Sequence, residues 1–119
     1  MRKQLIRVAI ALKSPSVAAA GYPVRGIVHD PEAQAYRDAL MQEHAEIRAR
    51  IEEALGHSIE VIWDLTLMTN LISAEVLPGD IETIRTVEGV RSVEREQQRI
   101  LHTTDADVGL LPVLDKQQM

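Results

Sequence analysis

Between Asp30-Pro31 and Gly56 runs a stretch of helical periodicity that sets the scale of any fold this chain can adopt. Asp30 suits an N-cap and Pro31 the first helical position, where a missing N–H leaves nothing unpaired. Gly56 stands where a left-handed cap belongs. Tyr36, Leu40, Ile47, Ile51 and Leu55 recur at spacings of four or seven and make one apolar stripe. About 25 residues form a rod of about 37 Å, longer than most helices in a chain of this size. The charges on its outer face, paired as Glu46–Arg50 or Glu43–Arg50, are ordinary surface chemistry.

Around this helix the apolar period changes from 3.6 to 2. Gln4–Leu12 alternates Ile6, Val8, Ile10 and Leu12 on one face before Ser14-Pro15-Ser16 breaks the strand. A loop from Val17 to Asp30 follows, long enough to be mobile. Ile59–Leu65 places Ile59, Val61, Trp63 and Leu65 on one side. A third strand, Asn70–Val76, sets Ile72, Ala74 and Val76 against Ser73 and Glu75. Pro78-Gly79-Asp80 opens a short helix with Asp80 as cap, burying Ile81, Ile84 and Val87, and Gly89 ends it. The fourth strand, Val90–Glu96, carries Val90 and Val93 before turning charged. The expected fold is α+β and ferredoxin-like: βαββαβ, an antiparallel four-stranded sheet with both helices on one face and an extended C-terminal tail. Residues 1–96 make the domain and 97–119 the tail.

With 119 residues the chain should bury one core without a staple, and with no cysteine it has neither a disulfide framework nor a thiolate metal site. A net charge of −5 and three aromatics argue against nucleic acid, which calls for a basic surface and stacking platforms. No apolar run approaches the eighteen or so residues that span a bilayer, so no membrane role is expected. Arg2 and Lys3 before an apolar stretch resemble a leader, but Arg7 and Lys13 interrupt it, and the segment reads as a strand.

The four histidines, His29, His44, His57 and His102, show no metal-ligand spacing, and no cofactor is implied. His44 lies on the apolar stripe. It is either a partly buried histidine bonded by a neighbour or a pH sensor whose charging loosens the helix from the sheet. Asp105, Asp107 and Gly109 hint at a calcium loop, but the position needing a bidentate Glu is Lys116. No glycine pattern cradles a phosphate, and no serine sits in a nucleophile elbow. Nothing looks catalytic, so the chain is expected to act by binding.

The stretch Asn70-Leu-Ile-Ser-Ala-Glu-Val76, followed by Val87-Glu-Gly-Val-Arg-Ser-Val-Glu-Arg-Glu96, resembles the propeptide or inhibitor domain of subtilisin-family serine proteases. There the third strand usually reads Asn-Gly-Phe-Ala-Val and the end Pro-Gly-Val-x-x-Val-Glu-x-Asp. Ala35-Tyr36-Arg37 through Ala54-Leu55-Gly56 resembles the long first helix of such prodomains, and Val8–Ser16 their opening strand. The likeness covers roughly residues 5 to 96 at the level of pattern. Leu71, Ile72 and Glu88 depart from the usual Gly, Phe and Pro.

That resemblance implies a module that inhibits a subtilisin-type serine protease, in cis or in trans, and assists its folding as a chaperone. It also implies a secreted or extracytoplasmic setting, although no convincing signal peptide is present. In such prodomains the sheet covers two parallel surface helices of the enzyme, and acids at the end of the last strand cap their N-termini. By motif position these acids are Glu94 and Glu96. The segment Gln97, Gln98, Arg99, Ile100, Leu101 and His102 would lie in the active-site cleft as an added strand. The register of the acids puts Arg99 fourth before the cleavage point and His102 just before it, with Ile100 or Leu101 as other occupants of that pocket. A ferredoxin-like regulatory module binding a small ligand and a structural dimerisation domain are the alternatives.

Overall fold

The computed structural model describes residues 4–96. The elements run β1 (Ile6–Leu12), α1 (Pro31–Leu55), β2 (Glu60–Leu65), β3 (Leu71–Val76), α2 (Asp80–Arg85) and β4 (Val90–Arg95), with a short 3-10 turn at Ile27–His29. All pairings are antiparallel and the strand order is β2-β3-β1-β4, the ferredoxin-like arrangement. Local chemistry accounts for the long helix: the Asp30 carboxylate accepts the Ala33 N–H at 3.0 Å, and Gly56 ends the helix at φ 81°.

Both helices cover one face of the sheet. Val8, Ile10 and Leu12 of β1, with Ile72, Ala74 and Val76 of β3, meet Ile47 and Ile51 of α1 and Ile81 and Ile84 of α2 in a single core. The period-2 alternation of β1 and β3 selects that face. β4 reaches it differently, because Val90 and Val93 are three apart. A bulge opposite Ala11/Leu12 absorbs Arg91 and turns both valines inward.

Three local expectations give way to tertiary contacts. The loop after β1 is tied down rather than mobile: Val17 is fully buried, its N–H donates to the Thr66 carbonyl at 2.8 Å, and Tyr22 stacks on Tyr36 at 5.1 Å. Asp80 is the first residue of α2, not its cap, and Gly79 holds the cap position. The Asp80 carboxylate reaches back to the Leu77 N–H at 3.1 Å. On α1, Arg50 donates to the Glu88 carbonyl at 3.2 Å, and the i,i+4 pair is Arg48–Glu52.

Glu52 does more than decorate that helix. Its Oε2 accepts the Ile59 N–H at 3.0 Å, closing the α1–β2 turn, and Arg48 Nε at 3.3 Å. The backbone hydrogen bond, more than Arg48, holds its pKa below the ordinary carboxylate range. A depressed folded-state pKa supplies stability above the unfolded value, and that stability is lost as the pH falls through the folded one. Glu52→Gln is therefore expected to flatten the acid limb of the stability curve below about pH 4.3, measured by urea unfolding from pH 2 to 6. An acid limb as steep as that of the parent chain would refute it.

Candidate functional site

The face of the sheet away from the helices carries no covering element among the described residues. Its position is set by strand register. Arg7, Ala9 and Ala11 of β1 stand opposite Glu75, Ser73 and Leu71 of β3, and Ala9 and Ala11 also stand opposite Glu94 and Ser92 of β4. The middle of the face is thus small or apolar and the β4 corner acidic. Arg7 and Glu75 form a cross-strand pair at 3.7 Å, weak because both are solvated.

β2 is where alternation misleads. Ile59 is buried as expected and Val61 packs on the core, but Trp63 is 60% exposed and Leu65 41%. The register runs Glu60↔Glu75, Val61↔Ala74, then Trp63↔Ser73, so Ile62 is the extra residue of a bulge. Beyond it every side chain changes face. Trp63 and Leu65 stand on the helix-free face beside Ser73 and Leu71, and Asp64, though still exposed, turns to the α1 side opposite Ile72.

There Asp64 meets His44, which is 2% exposed. His44 Nδ1 lies 2.7 Å from Asp64 Oδ1 and Nε2 lies 2.6 Å from Asn70 Oδ1. Asn70 Nδ2 donates to the Ser14 carbonyl at 2.9 Å, which orients the amide with its oxygen toward the ring. Ser14 Oγ donates in turn to Glu43 Oε2 at 3.0 Å, while Glu43 Oε1 is buried with no hydrogen-bond partner. Both ring nitrogens therefore face acceptors. Of the two expectations for His44, a buried histidine bonded by its neighbours is the one seen.

Of the predicted binding residues, Glu94 and Glu96 fall within the described structure. Both are exposed. Glu94 stands opposite Ala9, and the Glu96 N–H donates to the Arg7 carbonyl at 2.9 Å, so both acids belong to the helix-free face. Ser73 Oγ donates to Glu96 Oε2 at 3.0 Å and holds that carboxylate against the sheet. Trp63 and Glu94 lie on opposite edge strands, about 14 Å apart across three strand spacings. Gln97, Gln98, Arg99, Ile100, Leu101 and His102 lie outside the described residues.

The place of both acids at the end of β4 was legible from the strand pattern, while their choice as binding residues rests on the resemblance; Ser73 was legible from its place on the opposite side of β3 from Ile72 and Ala74. Trp63, Leu65 and the His44–Asp64–Asn70 cluster were not, because no residue of β2 announces the bulge. Among the described residues no group of three or more His, Asp or Glu side chains could hold a metal ion, and no helix is long and apolar enough to cross a membrane. Comparison of the chain with family models, with curated proteins and with solved structures returns no match.

Proposed function

We propose that this chain is a subtilisin propeptide-like inhibitor domain. It docks its helix-free sheet face on a subtilisin-type serine protease, lays its C-terminal tail in the active-site cleft, and assists the folding of that enzyme. One observation carries the reading: Trp63 and Leu65 are exposed on the same sheet face that bears Glu94 and Glu96. An exposed tryptophan and leucine beside small residues suit contact with another protein, with the aromatic as anchor. Carboxylates at the rim suit the N-termini of helices, whose free N–H groups and positive dipole ends they complement.

The test is titration of a subtilisin panel of differing specificity with the purified chain, reading residual activity at once and after several hours. Tight inhibition that decays as the tail is cut is the expected result. No inhibition by the folded chain across the panel overturns the reading. A stable dimer under those conditions would instead assign the sheet face to self-association.

Changing Glu94 and Glu96 together to Ala is expected to weaken inhibition by about 1–4 kcal/mol, at about 0.5–2 for each lost cap. The isolated fold should stay intact, since both side chains are exposed. Equal inhibition constants for the parent and the double variant would remove the capping role.

A further inference from the structure

β2 has two ways to face its neighbours. In a regular register Val61, Trp63 and Leu65 share a face and turn toward the helices, and Asp64 points away. In the bulged register observed, Trp63 and Leu65 point away and Asp64 turns in. Hydrophobic burial alone favours the first, since it withdraws a tryptophan and a leucine from water. The observed register leaves both exposed and sets the half-solvated Asp64 carboxylate beside α1 in their place, so something specific must hold it.

The holding interaction is the His44 ring. It is buried on α1, takes Asp64 on one nitrogen and Asn70 on the other, and both contacts are short. The Asp64 contact exists only with the bulge in place. Beside it, the cleft between α1 and β2 is lined by Met41, Ala45, Ala49 and Asp64. Two alanines there leave room for a larger side chain to enter when Asp64 leaves.

We infer that the doubly bonded His44 ring selects the bulged register of β2, so that its protonation decides whether Trp63 and Leu65 stand on the helix-free face or turn toward α1. With both ring N–H groups present, each acceptor is served. Loss of one proton leaves a nitrogen lone pair against an acceptor oxygen in a buried setting, where an unmade hydrogen bond and a lost charge pair weigh most. Asp64 is then released and the regular register gains. The charged groups around His44 agree with this direction. Asp64 on β2 touches the ring, Glu43 lies behind it through Ser14 and Asn70, and Arg48 and Glu52 line the same cleft and engage each other. The acceptors at the ring are thus an acid and an amide oxygen, and the neighbouring cation already has a partner.

The device belongs to the chain itself and does not depend on which partner uses the face. Trp63 is the only tryptophan, so its emission reports the register directly. The full-length chain is titrated from about pH 5 to 8.5, spanning the range in which histidine changes charge. Its emission maximum and acrylamide quenching are followed with far-ultraviolet circular dichroism alongside. The expected result is a blue shift and reduced quenching as the pH rises, with the dichroism unchanged. In Asp64→Asn the amide can donate to a neutral ring, so the emission should no longer depend on pH. Three results would each overturn the proposal: constant Trp63 emission in the parent chain, the same transition in Asp64→Asn, or a transition that coincides with loss of helical dichroism.

Discussion

Gly89→Ala is expected to lower the stability of this domain by about 2–4 kcal/mol, combining left-handed strain of about 1 kcal/mol with about 1–3 for overpacking. Gly89 sits between α2 and β4 at φ 99°, a conformation that side chains rarely adopt. A Cβ there would lie 2.8 Å from Ile47 Cδ1. Ile47 is fully buried on the inner stripe of α1, so its tip has nowhere to retreat. The backbone cannot easily shift either, because the Gly89 carbonyl accepts the Lys13 N–H at 3.0 Å and Arg50 holds the Glu88 carbonyl. The two contributions separate in a double-mutant cycle. Ile47→Val removes the offending methyl and alone costs about 0.5–1.5 kcal/mol. Combined with Gly89→Ala it should recover part of the overpacking loss, giving a favourable coupling of about 0.5 kcal/mol or more. Chemical denaturation of the four chains measures this. Strict additivity would show that strain at Gly89 is purely local.

Removal of residues 97–119 is expected to abolish blockade of the protease active site while leaving weak binding through the sheet face. The tail, entering the cleft as an added strand, would contribute main-chain hydrogen bonds along its length. Its loss should weaken inhibition on the order of 100-fold or more, or ~2.7 kcal/mol. Turnover of a small chromogenic substrate reads the blockade, and calorimetry reads residual binding. The β4–β1 pairing that ends at Glu96 is left intact, so the shortened chain should keep a cooperative thermal unfolding transition. Unchanged inhibition would show that the tail is idle and that docking alone obstructs the enzyme.

The two predictions probe different levels of the molecule. Gly89 tests whether the domain is packed as the register demands, and the tail tests the proposed use of the surface that packing creates. Between them stand Glu94 and Glu96, placed by β4 and proposed to meet a partner. The hydroxyl of Ser73 on Glu96 shows how the sheet can pre-orient one of these acids, which reduces the entropy to be lost on binding.

Much of the fold was legible in the chain because the signals were local or periodic. Asp30, Pro31 and Gly56 delimit α1 through hydrogen bonds made within a few residues, and the stripe from Tyr36 to Leu55 names its buried face. Alternation in β1 and β3 names the face of the sheet that the helices cover, and the right-handed crossover orders the strands. Local pattern was also enough to place Glu94 and Glu96 at a strand end. Tertiary structure alone decided where alternation breaks. Bulges at Ile62 and Arg91 depend on what the opposite strand and α1 offer, and a two-residue period carries no trace of an inserted residue. For β4 the bulge rescues a spacing of three. For β2 it overrides a spacing of two that already looked complete, exposing Trp63 and drawing in Asp64. The partners that Asp64 and its neighbour Asn70 find lie 20 residues and more away, on the buried ring of His44 in α1, where no local pattern could announce them.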